Sequence, residues 1–147
     1  MINLKKVIQK IVLSAAIFKD GRVLIVQRSK NEKAFPEMWE FPGGKKEDLE
    51  YLDKALKREI KEETGLKIKI IMPFNAFGYF LKQDKNIRDI AQINFLARVV
   101  GSDKVKLSHE HQSFAWIAEK EINKYKTSAQ IRRALKEAFK LICLLQK

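Results

Sequence analysis

Residues 41–66 read FPGGKKEDLEYLDKALKREIKEETGL, and within them Tyr51 to Thr64 carries a helical pattern that stops at Gly65. Glycine at that place suits a helix closed by a left-handed residue. At about 100° per residue, Leu52, Ala55 and Leu56 fall on one face. Continued along the helix, that stripe meets Glu59 and Glu63, with Ile60 and Glu62 on its edges. The second half of the helix therefore turns acids towards the side that the first half buries. Surface acids take the opposite face, and acids near a helix C-terminus oppose its dipole. Lys57 and Lys61 read simply as solvated residues. Three carboxylates this close need compensation to stay ionised. A divalent cation, which prefers hard oxygen ligands, supplies it. Ahead of the helix, Gly43-Gly44 lets the backbone approach a ligand closely.

Outward from this helix the chain alternates strand and turn signals. Ile11–Lys19 and Val23–Arg28 read as a hairpin around Asp20-Gly21. Asn31–Met38 reads as a loop broken by Pro36, and Trp39-Glu40-Phe41 as a short extended piece that stops at Pro42-Gly43-Gly44. Leu66–Met72 reads as a strand ending at Pro73. Phe74–Lys82 and Ile90–Val100 follow as two strands around a polar turn, Gln83–Asp89. Ser113–Ile117 is a further strand, and Ser128–Leu145 is a closing amphipathic helix with Ile131, Ala134, Leu135, Ala138, Leu141 and Ile142 on its apolar face. This order implies an α/β (α+β) fold, a mixed sheet with helices on its faces.

The bulk composition excludes several classes. At 147 residues and 46% hydrophobic, the chain suits one core-forming domain spanning 1–147 and is not disordered by composition. Lys5, Lys6 and Lys10 precede an apolar run, Ile11–Phe18, but Ser14 interrupts it and Asp20-Gly21 follows in place of a cleavage site. With no run of spanning length either, a cytoplasmic protein without a membrane partner is expected. The single cysteine, Cys143, excludes an internal disulfide and reads as a small buried hydrophobe in an apolar helix. The net charge of +12 suits a polyanionic ligand, although scattered lysines read as solvated surface.

Together these residues resemble the box of the Nudix family. Gly44 is followed after five residues by Glu50, and seven residues later by Arg58-Glu59-Ile60-Lys61-Glu62-Glu63-Thr64-Gly65-Leu66, matching every fixed position. The resemblance implies an α/β/α sandwich with a mixed, partly antiparallel sheet between helices. Trp39-Glu40-Phe41-Pro42-Gly43-Gly44-Lys45 is similar to the MutT-type branch, which hydrolyses nucleoside triphosphates to the monophosphate and pyrophosphate. It implies Mg²⁺, or Mn²⁺ in its place, held by Glu59, Glu62 and Glu63. By the same resemblance Glu63 and Glu110 ligate the metal with the Gly43 carbonyl. Glu110 lies six residues before Trp116, the spacing at which such enzymes add a ligand from outside the box. Glu59 is then the candidate general base, Glu50 a second-tier ligand, Arg58 the residue that orients a carboxylate, and Lys45 a phosphate contact.

Substrate selection is less legible. Trp39, Phe35 and Phe80 suit either base stacking or a core. Arg28 and Glu40 suit either polar groups in the cleft or a strand-edge ion pair. MutT-type enzymes that favour oxidised guanine read the base with an asparagine at the start of the last helix. Here Thr127-Ser128-Ala129-Gln130 offers only Gln130, the same amide on a longer arm, so pyrimidine triphosphates stay open. Two alternatives stand beside a triphosphate. One is ADP-ribose or a dinucleoside polyphosphate, although the proline-alanine-glycine lead-in of ADP-ribose enzymes is absent. The other is a non-catalytic nucleotide- or RNA-binding module, for which Arg132, Arg133, Lys136 and Lys140 speak and the complete set of acids speaks against. A nucleotide partner is expected, a nucleic acid is not, and the enzyme is expected to be a monomer or homodimer.

Overall fold

The computed structural model describes residues 6–146, so Lys5 lies outside it. Strand β1 (Lys6–Lys19) turns into β2 (Arg22–Arg28) through Asp20 and Gly21, both left-handed at φ 51° and 75°. Two such residues give the turn whose twist matches paired strands. The two strands pair only at Phe18↔Val23 and Lys19↔Arg22. Beyond that they part like a fork. β1 pairs antiparallel with β4 (Gly43–Lys45), while β2 pairs antiparallel with β3 (Trp39–Glu40) and β7 (His111–Ile117). On its other side β1 runs parallel to β6 (Asn86–Val100), which pairs antiparallel with β5 (Lys67–Gln83). The sheet is mixed, as expected, with order β3-β2-β1-β6-β5.

Period-two alternation explains the layers. Leu13, Ala15 and Ile17 of β1 and Leu24 of β2 pack with Ala55, Leu56 and Ile60 of helix α1 (Leu52–Thr64). The alternate residues Ala16, Phe18, Val23 and Ile25 pack with Ile131, Ala134, Leu135, Ala138, Phe139 and Ile142 of helix α2 (Ala129–Leu145). Fully burying each large aliphatic side chain contributes about 1.5–3 kcal/mol. Gly65 closes α1 at φ 75°, and the Ser128 hydroxyl caps α2 by accepting from the Ile131 N–H. The result is the expected α/β/α sandwich. Among the described residues no helix is long and apolar enough to cross a membrane.

Several expectations are corrected. Pro73 does not end a strand: β5 runs continuously through it, with register shifts between Ile70 and Met72 and between Pro73 and Asn75. β5 is an edge strand and is irregular on both sides of Pro73, the setting in which a strand tolerates a residue without an N–H. Its turn to β6 is only Asp84-Lys85, with Gln83 opposite Asn86. Gly43–Lys45, expected as a turn, is strand β4. A 3₁₀ turn at Glu119–Lys124 carried no clear sequence signal. Leu52, on the expected apolar stripe, is 40% exposed at the start of α1. Cys143 is exposed, not buried, because it is rotated off the stripe that contains Ile142.

Candidate active site

The fork between β1 and β2 opens a cleft of about 860 Å³. Its floor is one face of the sheet. Register sets Val12 and Ser14 of β1 beside Gln92 and Asn94 of β6, and Ile90 beside Tyr79 of β5. α2 covers the deeper part of this face and leaves the rest open. α1 lies under the opposite face, yet Glu59 and Glu63 reach the cleft beside β4, whose Gly43 and Gly44 carry no side chains to block them. A Cβ on Gly44 would sit 2.1 Å from a Glu59 carboxylate oxygen, so this glycine is the seat of Glu59.

Glu63 is 6% exposed and accepts a hydrogen bond from the Gly43 N–H at 3.0 Å. Burial pushes its carboxyl up to about 9, and the neighbouring acids Glu40, Glu110 and Glu59 add to the rise. Burial also raises the Glu59 carboxyl, with Arg58 opposing and Glu62 and Glu110 reinforcing. Glu110 lines the same cleft, carried there by the loop before β7, whose backbone accepts from the Ser29 N–H at 3.0 Å. Arg58 gathers the remaining acids. It forks onto Glu50 at 2.7 and 2.9 Å, donates to Glu59 at 3.0 Å and to Glu62 at 3.3 Å, and donates to the Lys45 carbonyl at 3.1 Å. This fork holds Glu50 down at about 2.

Of the expected site residues, Glu59, Glu63, Glu110, Gly43, Lys45, Arg28 and Glu40 therefore share one cleft. Glu50 and Arg58 brace it from the side. Glu62 does not join the others; its side chain is 58% exposed and paired with Arg58. Among the described residues no three acid, histidine or cysteine side chains close tightly on one point. Arg58 holds Glu59 while the Gly43 N–H holds Glu63, so the two carboxylates have separate partners.

Cations line the same cleft. Burial lowers the Lys45 ammonium, and the charges of Arg88 and Lys10 lower it further. Arg88 had no distinguishing sequence signal; it joins the rim because β6 starts four residues earlier than its apolar run suggests. Arg28 donates to the Ala34 carbonyl at 2.8 Å and to Glu40 at 3.3 Å, so it is tied into the wall. His111 was also missed. Its side chain is buried with Nε2 3.0 Å from a Glu40 oxygen and Nδ1 3.9 Å from a Glu63 oxygen. It lies between two acids far apart in sequence, bonded to Glu40 and with Nδ1 unbonded among the described residues.

The aromatic expectations divide. Phe35 lines the cleft and meets Tyr79 edge-on at 6.1 Å, a pairing the sequence did not suggest. Phe80 is 75% exposed and outside it. Trp39 is corrected to a packing residue, because its ring lies edge-on to Tyr125 at 4.9 Å against the α2-side core and does not line the cleft. Gln130 is likewise outside the cleft lining; its amide is bound to the Gly78 carbonyl at 3.3 Å.

A profile of the NUDIX domain matches residues 9–139. The chain belongs to the Nudix family. This Nudix hydrolase, a phosphoanhydride-cleaving enzyme, is 41% identical over 69 residues to an 8-oxo-dGTP diphosphatase of Buchnera aphidicola. That match covers 47% of the chain and 52% of the relative, about half of each. It is 26% identical over 134 residues to the nucleoside triphosphatase NudI of Escherichia coli, covering 87% of the chain and 95% of that protein. The MutT protein of Methanosarcina mazei has the same architecture, with a TM-score of 0.75 and 26% identity over 99% of both chains.

Proposed function

We propose that this Nudix hydrolase converts a nucleoside triphosphate and water to the nucleoside monophosphate and pyrophosphate, with Mg²⁺ as its metal and Mn²⁺ able to replace it. The observation that carries this reading is one cleft holding three acids, Glu59, Glu63 and Glu110, together with two cations, Lys45 and Arg88, that have no ion-pair partner among the described residues, and an aromatic pair at its wall. Both sequence relatives bear names of enzymes acting on nucleoside triphosphates, which supports the substrate class.

The donor set fits a divalent cation. Among the described residues Glu63 is buried with the Gly43 N–H as its hydrogen-bond donor, and Glu59 has Arg58. Hard carboxylate oxygens in an uncompensated pocket are what such an ion binds. Glu63, Glu59 and Glu110 would hold it, with the Gly43 carbonyl; Glu62 and Glu50 act through Arg58. When bound, it neutralises polyphosphate charge and makes water a better nucleophile. Lys45 and Arg88 receive the phosphates. Glu59, with its raised affinity for protons, takes the proton from the attacking water. Arg58 fixes the direction of that carboxylate. Phe35 and Tyr79 bound the base.

A screen of pyrophosphate and phosphate release tests this, with canonical and oxidised nucleoside triphosphates, ADP-ribose and dinucleoside polyphosphates, and Glu63→Gln as blank. A dominant triphosphate giving monophosphate and pyrophosphate is expected. Turnover of only ADP-ribose or dinucleoside polyphosphates overturns the substrate class, and no turnover at all overturns the catalytic reading.

A further inference from the structure

Under α2, where the rest of the sheet face buries Ala16, Phe18 and Leu96, a row of polar side chains crosses the core. Ser14, Asn94 and Asn75 stand side by side on β1, β6 and β5, and Gln92 is two residues before Asn94 on the same face. Glu137 of α2 closes the row. Asn94 is fully buried, Gln92 is 8% exposed and Ser14 is 3% exposed. A buried polar row in an apolar layer is costly unless every member is bonded.

The bonds run in one direction. The Asn75 amide donates to Glu137 at 3.2 Å, the Asn94 amide donates to the Asn75 oxygen at 2.9 Å, and the Gln92 amide donates to the Asn94 oxygen at 3.0 Å. The Gln92 amide also donates to the Ser14 hydroxyl at 3.4 Å. An amide can be turned over in isolation, but an ionised carboxylate only accepts. Glu137 therefore forces the Asn75 nitrogen towards itself, and each amide in turn must follow. At the end of the chain both Gln92 N–H groups are used. Its oxygen has no hydrogen-bond partner among the described residues, and Gln92 lines the cleft floor beside Ser14 and Ile90.

We propose that Gln92 presents a polarity-locked hydrogen-bond acceptor to the nucleobase, set by Glu137 through Asn75 and Asn94, and that it selects bases offering an N–H donor over bases offering a carbonyl there. This rests on the reading of the cleft as a nucleotide site. Gln92 is the specificity-determining contact. Glu137 is a positioning residue that acts without touching substrate. A fixed acceptor facing a carbonyl oxygen leaves two acceptors opposed, and a mismatch of this kind typically lowers affinity about tenfold or more.

The test compares amino and oxo members of matched pairs, cytidine against uridine triphosphate and adenosine against inosine triphosphate. Both kcat/KM and the binding of the corresponding monophosphates are measured. In the wild-type enzyme the amino member of the better-handled pair is favoured about tenfold. Gln92→Leu brings that ratio close to one. Glu137→Gln, partly exposed and conservative in shape, also reduces it, with the change appearing as a rise in KM for the amino-bearing member. A purely structural role would lower both members together and leave the ratio in place. A wild-type ratio near one in binding and turnover, or a ratio that survives both substitutions, overturns the proposal. Binding with the expected preference but without triphosphate turnover overturns the proposed reaction and leaves the acceptor standing.

Discussion

Replacing Gly44 with alanine separates the seat of a catalytic carboxylate from the stability of the fold. The new Cβ would lie 2.1 Å from one Glu59 carboxylate oxygen, 2.4 Å from Cδ and 2.9 Å from the other oxygen. Restoring ordinary contact, from 2.1 to 3.4 Å, requires a retreat of about 1.3 Å. The clashing atoms belong to the far end of a flexible side chain, so the retreat is cheap for the fold, and stability is expected to change by about 1 kcal/mol or less. Catalysis is less tolerant. A misplacement of about 1 Å costs on the order of 10²-fold in rate, or about 2.7 kcal/mol of barrier. Gly43→Ala supplies the contrast. There the Cβ would lie 2.1 Å from the Leu13 carbonyl oxygen and 2.6 Å from the Ser14 Cα, both backbone of the β1–β4 ladder. It is expected to lose about 3 kcal/mol of stability. The measurements are kcat by pyrophosphate release and thermal unfolding on both variants. Gly44→Ala with kcat within a factor of two of wild type would refute the placement of Glu59 in catalysis. A stability loss equal to that of Gly43→Ala would refute the claim that only a side chain must move.

Further outcomes are expected as well. Glu59→Gln and Glu63→Gln each keep the fold by circular dichroism and cut kcat by about 10²-fold or more; a near-normal rate removes that residue from the mechanism. Because burial pushes Glu63 up to about 9, the metal-free folded state holds a proton that the unfolded chain releases near 4.5. Its contribution is therefore full below about pH 4.5 and is lost as pH rises towards 9; unfolding midpoints of the metal-free protein should fall across that window, and Glu63→Gln should remove that slope. Glu50 has the opposite sign: held down to about 2 by Arg58, it stabilises above 4.5 and that support is lost as pH falls from 4.5 towards 2, a limb that Glu50→Gln should abolish. Arg88→Ala should raise KM for a triphosphate about tenfold and flatten its dependence on salt; an unchanged KM would take Arg88 off the phosphates.

The sequence alone determined whatever depends on local spacing. A helix turns about 100° per residue whatever surrounds it, so Glu59 and Glu63 were bound to share a side with Ala55 and Leu56, and both face the cleft. Asp20-Gly21 specified a tight turn, and Gly65 specified the end of α1, because few other residues accept those backbone angles. The box spacing was legible for the same reason, as was the sandwich, since strand and helix periods differ.

Pairing between distant segments was decided only in the folded chain. Nothing local says that β1 and β2 part after Phe18↔Val23, yet that fork opens the cleft. Glu62 and Glu63 are neighbours in sequence, but the angle between them leaves one 58% exposed and the other buried under β4. Pro73 reads as a breaker until its strand is known to lie at the sheet edge and to shift register beside it, where proline is tolerated. Trp39 became core, and Phe35 with Tyr79 became the cleft wall, because burial depends on what the sheet brings opposite. His111 is the plainest instance. Its single imidazole sits between Glu40 and Glu63 at a place set by three strands and a helix, and no spacing along the chain encodes that position.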